Sequence, residues 1–138
     1  MLKLILKYPP SVNQYWRSKI VTSKYKPPFI NVYISSKGIQ FKEDVLYDTI
    51  KQKVYNKRIS HNIRVIVFLY PPDKRIRDVD NPMKALLDSL GKKGAKVYLD
   101  DSQIKDLRII MKEPNPKLGK TEILIFEMDD PNGQVIFE

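Results

Sequence analysis

This sequence predicts an α/β protein, more narrowly an α+β single domain, with a mixed β-sheet packed by two main helices. Three observations predict it. Apolar residues alternate over residues 2–8 and 62–70, which is the period of a strand. Apolar residues recur at helical spacing over residues 37–55 and 82–90. Prolines and glycines separate these runs. At 138 residues the chain is the size of one domain that buries a core without staples. No internal repeat or domain boundary interrupts residues 1–138, and about 129–138 read as a polar tail.

Taken in order, residues 2–8 form a strand with Leu2, Leu4, Leu6 and Tyr8 on one face, and Pro9-Pro10 stops it. Residues 11–36 have no clear period and contain Pro27-Pro28, so they read as a long loop with short extended pieces near Phe29 to Ile34. Long ordered loops in small domains are often functional. This one interleaves aromatic and basic residues: Tyr15, Trp16, Arg17, Lys19, Lys24, Tyr25 and Lys26. Over residues 37–55, Phe41, Val45, Thr49, Ile50 and Val54 form a helical stripe, with Ser35 or Ser36 as the cap.

Residues 62–70 are apolar on both faces, which places that strand centrally in the sheet. Pro71-Pro72-Asp73 breaks it, and Lys74-Arg75-Ile76-Arg77 follows as a basic approach. Asn81 is the expected N-cap of the next helix, with Pro82 at its first position, where a missing N–H costs nothing. Met83, Leu86, Leu87 and Leu90 are its core stripe, and Gly91 and Gly94 mark its end. Residues 97–99 are a short extended piece. Residues 107–112 and 121–128 read as an antiparallel hairpin joined through Pro114-Asn115-Pro116 and Gly119.

Composition narrows the chemistry. Lys and Arg number 25 against 16 Asp and Glu, a net charge of +9, which favours a polyanionic partner; solubility alone is the competing explanation. The absence of cysteine excludes disulfides, thiolate zinc sites and cysteine nucleophiles. The apolar start is too short and too interrupted by lysine for a signal peptide, and no run is long enough to span a bilayer. A soluble protein with no membrane partner is expected.

Against this basic background, acidic residues gather in two places. Asp78 and Asp80 flank Val79 just before a helix, and Asp100-Asp101 follow the piece that returns from it. Close carboxylates raise one another's pKa unless a cation neutralises them. Oxygen-only ligands suit Mg²⁺, or Mn²⁺ in its place. The competing account makes one aspartate a cap and the others solvated turn residues. Lys84, four residues after Asp80, either stabilises charge on a phosphoryl oxygen or pairs with Asp88. His61, the only histidine, reads as a solvated loop residue.

Residues 77–90, Arg-Asp-Val-Asp-Asn-Pro-Met-Lys-Ala-Leu-Leu-Asp-Ser-Leu, then Leu99-Asp100-Asp101-Ser102-Gln103, resemble the RusA family of Holliday junction resolvases. Residues 9–17, Pro-Pro-Ser-Val-Asn-Gln-Tyr-Trp-Arg, are similar to that family's N-terminal motif, and all three motifs stand in register. The resemblance implies a homodimeric endonuclease that nicks opposed strands of a four-way DNA junction. It further implies Mg²⁺ or Mn²⁺ held by Asp78, Asp80 and Asp101, with Lys84 as the family's important lysine. Arg77 matches the basic residue before the first aspartate. The link over residues 95–99 is longer than the family's, which leaves Asp100 as the alternative to Asp101. A DNA-binding face is expected to include Asn13, Trp16, Arg17, Arg75 and Arg77, in a cytoplasmic protein of bacterial or prophage origin. The rival reading is a structure-selective DNA-binding protein without catalysis.

Overall fold

The structure, a computed structural model, describes residues 1–128; the expected polar tail lies outside them. The elements run β1 (Leu2–Leu6), α1 (Val12–Tyr15), β2 (Trp16–Val21), β3 (Phe29–Ile34), α2 (Ser36–Lys51), β4 (Ile63–Tyr70), α3 (Met83–Leu90), a 3-10 turn (Asp101–Gln103), β5 (Ile104–Met111) and β6 (Lys120–Glu127). The described residues form a mixed α+β single domain with three helices, of which α2 and α3 are the main ones. Four strands form one sheet in the order β1-β6-β4-β5, and β2 and β3 form a separate ribbon.

β4 is central, as its two apolar faces require. It pairs with β6 antiparallel and with β5 parallel. Ile63, Val65, Val67 and Leu69 are buried, while the alternating Arg64, Ile66, Phe68 and Tyr70 are half-buried. Around the buried face, Leu4 and Leu6 of β1, Ile123 and Ile125 of β6, Phe41 and Val45 of α2, and Leu86 and Leu90 of α3 share one core. Burial of each such side chain contributes on the order of 2 kcal/mol. The β1 edge is closed by Gln52, whose side chain accepts from the Ile5 N–H at 2.8 Å and donates to the Ile5 carbonyl at 2.6 Å.

Several sequence expectations change. β5 and β6 are not a hairpin: each lies on a different side of β4. The segment between them crosses the end of β4, held by Lys112 N–H on the Leu69 carbonyl (2.8 Å) and Asn115 N–H on the Pro71 carbonyl (2.9 Å). Gly119, at φ +67°, turns the chain into β6 beside Pro72. A strand apolar on both faces gains more by being flanked on each side than a hairpin gains by local pairing.

Residues 11–36 are not one loop. Ser11 and Gln14 form a reciprocal capping box that starts α1, and β2 pairs antiparallel with β3 from Trp16↔Ile34 to Val21↔Phe29. The helix expected to reach residue 55 ends at Lys51, and Lys53 and Asn56 take positive φ beyond it. Val54 still reaches the core from that turn, whereas Ile50 of the expected stripe is 59% exposed. Ser35 is the α2 cap, accepting from Gly38 N–H at 3.1 Å. β1 ends two residues early, and Tyr8 packs against the core from the loop.

The β4–α3–β5 unit decides where the acidic residues stand. Asp78 and Asp80 follow the end of β4 and precede α3, while Asp100 and Asp101 precede the start of β5. β4 and β5 run parallel, so α3 and its flanking loops form the crossover between them.

Candidate active site

α3 carries Lys84 and Asp88 one turn apart on its outer side, with Met83, Ala85, Leu86 and Leu90 buried on the other. Lys84 Nζ lies 3.2 Å from Asp88 Oδ1. Asp101 reaches the same place from beyond the helix, and a Cβ on Gly91 would meet its Oδ1 at 3.1 Å and the Tyr98 ring at 3.0 Å. The absence of a side chain at Gly91 therefore makes room for this carboxylate. Lys84, Asp88 and Asp101 line a cleft of about 230 Å³ with Trp16, Lys92 and Lys93.

The electrostatics of the cleft centre on Asp88 and Asp101. Burial first, and then the Asp88 charge, push the Asp101 carboxyl above the ordinary aspartate range; the Tyr98 hydroxyl and Lys84 oppose that rise. Burial, then Asp101, raises the Tyr98 hydroxyl, which also donates to the Leu87 carbonyl at 2.8 Å. Burial, then Asp88, pushes Tyr15 up to about 12. Asp88, Asp100 and Asp101 thus line one cleft with Lys84, Lys92 and Lys93, and of these lysines it is Lys84 that opposes the rise of the Asp101 carboxyl.

Asp100 plays a different part. Its side chain accepts from Ser102 N–H at 2.8 Å and caps the 3-10 turn, and that bond holds its carboxyl below the usual range. The loop is fixed by Gln103, which is buried. Its Oε1 accepts from the N–H groups of Leu99 (2.8 Å) and Asp100 (2.7 Å), and its Nε2 donates to the carbonyls of Ile59 (2.7 Å) and His61 (2.9 Å). His61 itself is exposed, as expected. Gln103→Ala leaves these backbone groups without partners and is expected to cost about 2–4 kcal/mol. Thermal unfolding checks it, and a melting temperature unchanged within about 2 °C would count against this role.

Asp78 and Asp80 stand elsewhere. Both are exposed; the Asp80 carbonyl accepts from Met83 N–H at 3.0 Å, and Asp78 lines a second cleft with Arg75, Arg77 and Asn81. In the chain, α3 lies between them and Asp101. Among the described residues, no three histidine or carboxylate side chains converge closely enough to hold an ion. On donor chemistry the aspartates fit a hard divalent ion; in position, Asp101 shares its cleft with Asp88, and Asp78 lines a different one.

Arg77 folds back rather than outward. Its guanidinium pairs with Asp73 at 2.8 Å, donates to the carbonyls of Asp73 and Arg75, and lies 5.9 Å from the centre of the Tyr8 ring. Arg75 is exposed. The Arg75 backbone N–H first, and Arg77 after it, hold the Asp73 carboxyl below its usual range. Asn13 and Arg17 are exposed on α1 and β2, and Trp16 stacks edge-on against Tyr15 at 5.3 Å. Asn81 does not cap α3: its Oδ1 and carbonyl both accept from Val12 N–H, at 3.0 and 3.1 Å, tying α1 to the site. Pro82 precedes the first helical residue, Met83.

Sequence reasoning weighed Asp88 only as a partner for Lys84 and assigned no role to Gln103. The signal for Asp88 is its place one turn after Lys84 on the polar side of a clear apolar stripe. Gln103 carries no such signal, because its partners are backbone groups of distant segments.

Comparison with known proteins agrees with the motifs. The family model described as Endodeoxyribonuclease RusA matches residues 7–125. The crossover junction endodeoxyribonuclease rusA of Enterobacteria phage HK97 is 39% identical over 119 residues, covering 85% of this chain and 89% of the relative. Proteins of the same name from Escherichia coli (strain K12) and Enterobacteria phage 82 are 31% and 32% identical over 125 residues, covering 91% of this chain and 93% of each relative. A match of this extent, with the acidic and N-terminal motifs inside it, shows that the chain belongs to the RusA endodeoxyribonuclease family.

Proposed function

We propose that this chain is a metal-dependent endodeoxyribonuclease that resolves four-way DNA junctions by paired nicks, acting as a homodimer in the cytoplasm. The observation that carries the reading is the family match over residues 7–125, which spans every motif on which the chemistry depends. No helix among the described residues is long and apolar enough to cross a membrane.

Asp78, Asp80 and Asp101 are the proposed carboxylates for Mg²⁺, or Mn²⁺ in its place; they do not converge in this structure and would have to draw together around the ion. A divalent ion held there supplies neutralisation of phosphate charge and a more acidic water. The protein's own part is to hold negative charge in a basic surround and to set Lys84 beside the reacting phosphate. There its ammonium favours charge developing on oxygen. Arg75 and Arg77 line the cleft of Asp78, Trp16 lines that of Asp101, and Asn13 and Arg17 are exposed close to Trp16 in the chain; these five are the proposed contacts that position the DNA backbone without reading bases.

A four-way junction presents two equivalent strands, and a two-fold dimer meets that symmetry. β5 supports such a dimer: it is an edge of the sheet, and Gln52 closes only the opposite edge, at β1. The test uses synthetic four-way junctions with Mg²⁺ and with EDTA. Wild-type protein is expected to nick two opposed strands only with Mg²⁺. A dimer with one Asp80→Asn subunit is expected to nick one strand. A protein that binds junctions and nicks nothing is a structure-selective binder instead. Sedimentation of a monomer at micromolar concentration with junction bound would remove the dimer.

A further inference from the structure

The β2–β3 ribbon has no strand pairing to the main sheet, and its two faces differ in chemistry. Register and alternation place Ser18, Ile20, Ile30 and Val32 on one face and Arg17, Lys19, Asn31 and Tyr33 on the other, with Val21 and Phe29 at the far end of that second face. On the second face, Lys19 Nζ lies 5.6 Å from the centre of the Tyr33 ring. The tip adds Lys24, Tyr25 and Lys26, all exposed. From Trp16 to Ile34 the chain has these four basic residues, Arg17, Lys19, Lys24 and Lys26, and no acidic one. At its base, Trp16 lines the cleft that holds Asp88 and Asp101.

We propose that the ribbon is a DNA-holding arm. Its basic face and tip lie along the phosphate backbone of one duplex arm of the substrate and lead it toward the cleft at Trp16. Charge selects the occupant. Two ribbons of this composition repel one another, whereas a polyanion neutralises each of them, and DNA grooves admit a two-stranded ribbon. The arm extends the binding surface well beyond Arg17 and gives roles to Lys19, Lys24 and Lys26. The proposal rests on the reading above that the substrate is branched DNA.

The experiment measures binding of a fluorescent four-way junction by anisotropy in EDTA, over about 50 to 300 mM salt. It compares wild type with Lys19→Gln/Lys24→Gln/Lys26→Gln and with the matching triple change to arginine. Each lost phosphate contact lowers the slope of log affinity against log salt by about 0.9, so the glutamine variant is expected to lose two to three from that slope. At 150 mM salt its affinity is expected to fall on the order of a hundredfold, with the arginine variant near wild type. An unchanged slope and affinity in the glutamine variant would overturn the proposal. So would an equal loss in the arginine variant, or a loss accompanied by a changed sedimentation coefficient, which would assign the ribbon to contact between copies. Wild-type protein that nicks junctions while the glutamine variant binds normally refutes the arm alone. Wild-type protein that binds with the expected slope difference but never nicks refutes the nuclease and leaves the arm standing.

Discussion

Asp80→Asn is expected to lower junction nicking by about a thousandfold or more while junction binding holds or tightens. The amide keeps the shape of the carboxylate and removes its charge, so a loss of activity without loss of fold reports on charge alone. Asp80 is exposed, and its side chain makes no ion pair among the described residues, so its replacement is expected to leave the melting temperature within about 2 °C of wild type. Binding that tightens would fit removal of one negative charge facing a polyanion. Asp78→Asn and Asp101→Asn are expected to behave alike. Asp100→Asn is expected to do less harm, because asparagine keeps the oxygen that accepts from Ser102 N–H and caps the 3-10 turn. Nicking at the wild-type rate by Asp80→Asn in saturating Mg²⁺ would remove Asp80 from the reaction. A dead Asp100→Asn beside an active Asp101→Asn would move the essential carboxylate by one residue.

The elements that were legible in the sequence are those whose own residues decide them. β4 is apolar on both faces and lies centrally; α3 has an unbroken stripe of Met83, Leu86 and Leu90 and packs into the core. Partners were less legible, because a strand pattern says which face is apolar and not which neighbour it takes. The β5 and β6 segments were found nearly where they lie, yet joined wrongly across β4. β3 lies where an extended piece was expected, at Phe29–Ile34, but β2 and its pairing escaped because Arg17 and Lys19 interrupt the apolar residues of β2 and the ribbon packs little of itself into a core. Asn81 satisfied a capping rule in sequence and is committed instead to Val12, a segment far away in the chain.

The candidate site divides in the same way. Its residue types were readable, since aspartates gathered on a chain of net +9 need a reason. Their grouping was not. A chain that returns after one helix suggests that both acidic pairs meet; among the described residues no three carboxylates converge on one point, and Asp78 and Asp101 line different clefts. What the structure does bring together is Asp101 with Asp88, through the space left at Gly91. Asp88 thereby becomes more than a surface partner, since Tyr15 and Asp101 both respond to its charge.

That placement sharpens the expectation for Lys84. Lys84→Ala is expected to lower the nicking rate by roughly a hundred- to a thousandfold, the cost of losing one positioned donor to developing charge. Junction affinity is expected to change only modestly, because one lysine is a small part of the basic surface. The rival account is a surface pair with Asp88. Such an i,i+4 pair contributes about 0.3–0.5 kcal/mol, so it predicts a shift of only a degree or two in melting temperature and little change in rate. The observed 3.2 Å contact is compatible with either account, because an ammonium with three donors can hold Asp88 and still present a proton to the cleft. Single-turnover nicking and thermal unfolding of Lys84→Ala and Asp88→Ala separate them. Small, equal effects of both changes would reduce Lys84 to a helix-surface residue. A large rate loss in Lys84→Ala at nearly constant melting temperature places its ammonium at the reacting phosphate, and a matching loss in Asp88→Ala would show that Asp88 holds that ammonium in position.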